Sequence, residues 1–267
     1  SVNYVHGGYR LRSPFRHLDD EAYTDACMAD LNQVFDMMTS GDVAAMIVEP
    51  IQGVGGFATP PDGFFAPMKK ELENRGVLFI SDEVQTGWGR TGQHFWGYQA
   101  HGITPDILTF AKGVGNGLSL GGVIAGAELM DSLPGNSIST FGGNPMSSVG
   151  ALATIRYMLE HDIQGHALRM GERLVGHLQP AVDASDVVVE LRGRGLMLAL
   201  ETVQPGTIEP NSDAAGRIME QARAAGLLVG KGGLYGNVIR IAPPMTVTEA
   251  EIDEAGTTLA GIIERLG

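Results

Sequence analysis

The chain has 267 residues, enough to bury one large core or two small ones, and its 43% hydrophobic content is that of an ordinary globular protein. A formal net charge of -13 argues against nucleic acid and against anionic membrane surfaces as partners. No apolar run approaches membrane-spanning length, and no charged-then-apolar leader opens the chain. The single cysteine, Cys27, allows no internal disulfide, so the chain reads as a protein of a reducing, cytoplasmic compartment.

Residues 1–20 mix Gly, Pro, Tyr and Arg in no clear period and read as an irregular lead-in. From Asp25 to Thr39 the apolar positions Met28, Leu31, Val34, Phe35 and Met38 have helical spacing, and Gly41 stops the run. Val43 to Val48 reads as a buried strand ending in Glu49-Pro50, followed by a glycine loop at 53–56. Asp62 to Arg75 reads as a helix with Phe64, Met68 and Leu72 on one face and Pro67 in its first turns, where proline costs least. Short strands are expected at Val77–Ile80, Ile107–Ala111 and Gly122–Ala127, and a long helix through Met146, Val149, Leu152, Ile155 and Leu159. This alternation predicts an α/β sheet that is mostly parallel.

Beyond residue 160 the character changes. Ile163, Ala167, Met170, Leu174 and Leu178 form an amphipathic helical face. Val187–Leu191 and Leu196–Val203 read as strands joined through Arg192-Gly193-Arg194-Gly195, as a hairpin or bulged pair. A helix over Ser212–Ala225, short strands at Leu227–Val229 and Val238–Ile241, and a last helix capped by Thr248 with Glu251 complete the chain. The expected division is 1–160 and 161–267, the second part a small α+β domain.

Two strand ends carry chemistry. Val77–Ile80 breaks into Asp82-Glu83 and then glycines, and Ile107–Ala111 breaks into Lys112 among glycines. Buried parallel strands present such groups at their carboxyl ends. The two positions are 30 residues apart, which one strand–helix–strand unit would span, so the ends can be neighbours. A half-desolvated lysine can shed its proton and act as an amine nucleophile. A half-buried carboxylate needs a positive partner, and a protonated pyridine nitrogen would serve. Together these are the protein's half of pyridoxal 5'-phosphate (PLP) chemistry. Taken singly, Asp82 reads as a strand-end turn residue and Lys112 as a solvated surface group. The same strand also suits a Walker B motif, with Asp82 on magnesium in an ATPase fragment. That alternative needs a G-x-x-x-x-G-K-[ST] loop, and its nearest approach, Gly226 to Lys231, has the wrong spacing and is followed by Gly232.

Four runs favour the first reading and leave the ATPase fragment as the alternative from another class. Glu49-Pro50-Ile51-Gln52-Gly53, Ser81-Asp82-Glu83-Val84-Gln85-Thr86-Gly87, Ala111-Lys112-Gly113 and Thr140-Phe141-Gly142-Gly143-Asn144-Pro145 resemble, in order and spacing, the class III PLP-dependent aminotransferases. Val238-Ile239-Arg240-Ile241-Ala242-Pro243-Pro244 agrees too, and the resemblance runs from about Val43 onward. It implies the C-terminal part of a fold type I large domain followed by the small C-terminal domain. It also implies roles. Lys112 would form the Schiff base with PLP and then move the substrate's α-proton; Asp82 would keep the pyridine nitrogen protonated; Val84 would pack on a ring face; Gln85 would bond the ring hydroxyl. Thr140 would reach the cofactor phosphate of a neighbouring subunit, implying a homodimer with shared active sites, and Arg240 would grip a substrate carboxylate.

Finer features point within the family. Branches acting on ornithine or 4-aminobutyrate usually carry a glutamate after the E-P-I-Q-G run that masks the arginine, and here that position is Val54. Gly92 to Gly97, Gly113 to Gly117 and Leu227 to Gly232 look most like the alanine–glyoxylate branch. The implied substrates are a small amino acid of alanine or β-aminoisobutyrate type and glyoxylate or pyruvate. A phospho-lyase of the same family is the alternative, and Arg240 favours transamination. Members also have a preceding portion that cradles the cofactor phosphate at a helix N-terminus and stacks an aromatic on the ring. Nothing in residues 1–42 replaces it, so the chain reads as a fragment of a longer protein or as a truncated product with half of that cradle absent.

Overall fold

The computed structural model describes residues 2–135 and 137–266, which divide into two compact units. The first contains Ser1–Pro50, Pro60–Trp88 and Trp96–His161; the second contains Ile51–Thr59, Gly89–Phe95 and Asp162–Gly267.

In the first unit the irregular lead-in gives way to helix α1 (Asp20–Met38), which starts five residues earlier than its apolar period suggests. Asp19 is the reason: its carboxylate accepts the Ala22 N–H, and Asp20 and Glu21 sit at the positive end of the helix dipole. Tyr23, Cys27, Leu31 and Phe35, four residues apart, are the buried stripe of α1. Strand β1 (Ala45–Val48) is followed by helix α2 (Phe65–Asn74), whose Phe65, Met68 and Leu72 meet that stripe together with Phe64, Val77 and Phe79. Each such side chain contributes about 1.5–3 kcal/mol of burial. Lys69 lies on the same buried face because Asp106, at 3.0 Å, and Glu73, at 2.9 Å, neutralise it.

Strands β2 (Leu78–Asp82), β3 (Ile107–Phe110) and β4 (Gly122–Ala125) complete a sheet of order β1-β2-β3-β4. The first three strands are parallel and β4 runs antiparallel to β3, so the sheet is mixed but mostly parallel, as expected. The connection from β2 to β3 is not the helix expected there. It is a run of turns with one 3-10 turn at Gly97–His101. The buried Glu83 explains why: it draws the returning chain in by accepting the Gly97 and Tyr98 N–H groups at 2.7 and 2.8 Å. Short helix α3 (Ala127–Met130) and the long α4 (Pro145–Glu160) follow, the latter capped by Asn144 and with Pro145 at its first position.

The second unit is an antiparallel sheet packed against helices. Helix α5 (Ile163–Asp183) leads into β5 (Val188–Arg194) and β6 (Met197–Thr202), a hairpin with a bulge between Val188 and Glu190. Helix α6 (Ser212–Ala224), β7 (Gly230–Gly232), β8 (Val238–Ile241) and helix α7 (Glu249–Glu264), with the capping box of Thr248 and Glu251, complete it. The strand order is β5-β6-β8-β7. Every residue of β6 is buried: Leu198 and Leu200 face the helix core, while Met197 and Ala199 meet Ile51, Phe57 and Val238.

One strand is displaced from its expected place. Leu227–Val229 is not a strand; β7 lies three residues on. The Leu227 N–H is used in ending α6, donating to the Ala222 carbonyl at 2.8 Å. Beside β8, moreover, the chain must pass under the Arg240 side chain. A Cβ on Gly232, which pairs with Val238, would lie 2.6 Å from Arg240 Nε, so that position has no room for a side chain.

Candidate active site

The burial of β2 alternates, with Phe79, Ser81 and Glu83 inward and Leu78, Ile80 and Asp82 half-buried on the other side. The two adjacent acids therefore have opposite surroundings. Glu83 is fully buried and saturated: Oε1 accepts from Ser81 Oγ at 3.1 Å and Tyr98 N at 2.8 Å, and Oε2 from Thr86 Oγ1 at 2.6 Å and Gly97 N at 2.7 Å. Asp82 uses one oxygen, Oδ1, to accept the Val84 N–H at 3.1 Å, and its other oxygen has no partner among the described residues. Sequence reasoning passed over Glu83, although the period-2 burial of β2 continued by one residue marks it as inward.

The ladder places Asp82 opposite Thr109, and the Glu83 N–H donates to the Thr109 carbonyl at 2.9 Å. Lys112 comes three residues after Thr109, so the acid and the amine leave neighbouring parallel strands at the same edge. Lys112 opens a 3-10 turn (Lys112–Gly115) with φ +50°, in the left-handed region where a residue with a Cβ costs about 1–3 kcal/mol. Its side chain is exposed and pairs with none of the described residues. Val84 and Gln85 are half-buried in the turn after Asp82. Thr140 is exposed in the segment before α4 and makes no hydrogen bond to Asp82 or Lys112.

Arg240 belongs to the second unit. It lies mid-strand, opposite Ala199 of β6 and Gly230 of β7, with Val238, Ile239 and Ile241 buried around it. Two small neighbours leave room for its guanidinium, which extends over the Phe57 ring with 5.6 Å between the guanidinium carbon and the ring centroid. Its bonds are long: Nη1 to the Gly53 carbonyl at 3.4 Å and Nη2 to the Lys231 carbonyl at 3.5 Å. The buried Nε–H meets no acceptor, and no carboxylate pairs with Arg240 among the described residues. Val54, where a masking acid would stand, is 71% exposed. A guanidinium so held keeps donors for a planar anion.

Residues 226–231 are not the phosphate loop that the Walker alternative needs. They follow the C-terminus of α6 and enter β7, whereas a phosphate loop must lead into a helix N-terminus.

The model of the class III aminotransferases matches residues 5–263. The chain belongs to the class III aminotransferase family. The match extends well ahead of Val43, into the lead-in and α1, where no motif was legible. Among curated relatives, alanine–glyoxylate aminotransferase 2 homolog 2 of Arabidopsis thaliana is 39% identical over 226 residues, covering 84% of this chain and 47% of the relative. The 4-aminobutyrate aminotransferase of Mycobacterium leprae is 36% identical, covering 95% of this chain and 58% of the relative. An amine transaminase from an uncultivated Pseudomonas species, solved in its PLP-bound form, superposes with a TM-score of 0.89 at 32% identity, over 98% of this chain and 61% of that one. The chain thus spans about half the length of the curated relatives it matches. Class III aminotransferases are PLP-dependent, and the residues present fit that group: Asp82 keeps an open acceptor, and Lys112, in the turn after the adjoining strand, keeps an amine with no partner among the described residues.

Proposed function

We propose that the protein containing this chain is a PLP-dependent aminotransferase that moves an amino group from a small amino acid, of alanine or β-aminoisobutyrate type, to glyoxylate or pyruvate. The observation that carries the reading is the juxtaposition of Asp82 and Lys112 through the Asp82–Thr109 register, each with a free valence. PLP, when bound, supplies an electron sink that stabilises negative charge on the carbon bearing the amino group. Asp82 holds a proton on the pyridine nitrogen. Lys112 Nζ is the amine that anchors the cofactor and afterwards carries the substrate's α-proton. Val84 would pack on the ring and Gln85 would bond its hydroxyl, both from the turn after Asp82. Thr140 reaches the phosphate of a neighbouring subunit in a homodimer, a role that its exposure permits. We read 1–160 as the cofactor part and 161–267 as the small domain, with Ile51–Thr59 and Gly89–Phe95 grouped with the second by their packing.

Arg240 takes the substrate carboxylate. With Val54 in place of an acid, no carboxylate among the described residues competes for its fork, which favours donors that always present a carboxylate near the reacting carbon. The lone cysteine, Cys27, leaves the chain without an internal disulfide, which suits a cytoplasmic setting. Among the described residues no helix is long and apolar enough to cross a membrane.

The test is a donor panel on the full chain with PLP, scored by the loss of the cofactor's absorption band. Alanine and β-aminoisobutyrate should discharge the band, with product amino acid appearing on addition of glyoxylate or pyruvate. A carboxylate-free amine reacting equally well would contradict the role given to Arg240.

A further inference from the structure

Arg192 is a charged side chain in the second unit for which the proposed reaction has no use. It lies in β5 with its side chain 7% exposed, paired with Glu201 at 2.6 Å and with Glu190. Its Nε and Nη2 both donate to the Gly56 carbonyl, at 3.0 and 2.7 Å. With two carboxylates against it, Arg192 offers no net positive charge to an incoming anion. What it holds is a constrained loop. Gly56 and Phe57 both have positive φ, +94° and +52°. Glycine takes this conformation freely, and phenylalanine does so only when its surroundings enforce it. A Cβ on Gly56 would lie 2.9 Å from Val238 Cγ2 and 3.2 Å from Arg192 Nη2, so the loop is packed closely against the clamp.

The Gly56 carbonyl belongs to the peptide plane that leads into Phe57. Two bonds from one guanidinium fork fix that plane, and a turn of the plane would break both. The same loop supplies both faces of the Arg240 setting, the Gly53 carbonyl on Nη1 and the Phe57 ring beneath the guanidinium.

We propose that Arg192 is a positioning residue for Arg240: by clamping the Gly56 carbonyl it holds Phe57 in its left-handed conformation under the Arg240 guanidinium and so aims that fork at the substrate carboxylate. The inference rests on the reading of Arg240 as the carboxylate grip.

The experiment uses the full chain labelled with 15N-arginine. The Arg240 Nε–H resonance is assigned by its loss in Arg240→Lys. Arg192→Lys keeps a cation for Glu201 and loses the fork. Expected in that variant is an Arg240 resonance displaced toward that of a solvated arginine as the Phe57 ring leaves, with the far-ultraviolet dichroism of the wild type. Pyruvate, titrated as the carboxylate probe, should bind at least roughly tenfold more weakly. If Arg192→Lys does not fold, the double variant Arg192→Gln with Glu201→Gln removes both charges together and carries the same two readouts. An Arg240 resonance unchanged in a folded variant overturns the proposal, whatever pyruvate does. A resonance that moves with Arg192, in a wild type that pyruvate leaves unperturbed, upholds the positioning role and overturns the carboxylate assignment of Arg240 instead.

Discussion

The carboxyl edge of the mostly parallel strands and the middle of the antiparallel sheet both keep a charged side chain that has no counter-ion among the described residues, by opposite means. At the edge, Asp82 and Lys112 stand where strands run out into turns, and Lys112 is exposed on a backbone bent into the left-handed region. In the antiparallel sheet, Arg240 is fixed within a ladder, and its nearest acceptors are backbone carbonyls, one of them 187 residues away in sequence. On the proposed roles, the group that exchanges protons and bonds stands free at a strand end, and the group that only grips is embedded where Ala199, Gly230 and Gly232 leave room for its fork.

The largest expected effects come from what supports each region. Glu83→Ala strips the acceptor from Thr86, Gly97 and Tyr98 and should lower unfolding stability in urea by about 3–4 kcal/mol. Asp82→Ala, one residue away, removes a single bond to Val84 and should cost less than about 1 kcal/mol. Equal losses would mean that the two acids are not divided into support and chemistry. In the antiparallel sheet, Gly193 has φ +122° and a Cβ there would lie 2.0 Å from the Met197 carbonyl oxygen. Gly193→Ala should therefore cost about 2–4 kcal/mol in the same assay, through the β5–β6 hairpin.

Arg240→Lys sharpens the comparison at the site itself. It should weaken binding of a carboxylate such as pyruvate by about tenfold or more while stability changes by less than about 1 kcal/mol, because a point charge replaces a planar fork. A smaller effect is expected at the surface of the second unit, where Arg173 donates to both oxygens of Asp253 and His177 sits at 2.8 Å. The Arg173 and His177 hydrogen bonds hold the Asp253 carboxyl well below the usual carboxylate range. The folded value is thus depressed, and the stabilisation is present above the unfolded value of about 3.9 and lost as pH falls through the folded one. Thermal midpoints of Asp253→Asn and wild type should converge as pH drops below about 4, and a constant gap would contradict the pairing.

Much of this was legible because it is local. Strand ends, the capping box of Thr248 and Glu251, and the alternation into Asp82 and Lys112 are all written within a few residues. What was not legible depends on partners far away. The segment between β2 and β3 was expected to be helical because its length suits a helix, and only the buried Glu83 carboxylate makes it a run of turns. The apolar Leu227–Val229 looks more like a strand than Gly230–Gly232 does. The decision rests on the width of the Arg240 side chain, eight residues beyond Gly232. Arg192, read as part of a turn, is a buried clamp whose partner, Gly56, lies in a loop 136 residues earlier.

The most direct test of the central assignment exploits a chain with only four lysines, Lys69, Lys70, Lys112 and Lys231. Lys69 is held by Asp106 and Glu73, and Lys231 donates to Ser212, while Lys70 is an exposed surface lysine and serves as the internal control. The full chain is incubated with PLP, reduced with borohydride, digested and mapped by mass, beside Lys112→Ala. The expected result is a pyridoxyl adduct on Lys112 at limiting cofactor, well ahead of Lys70, with no saturable labelling in Lys112→Ala. Labelling of Lys112 no faster than Lys70, or an unchanged absorption band in the variant, would contradict the assignment of Lys112 as the cofactor's amine.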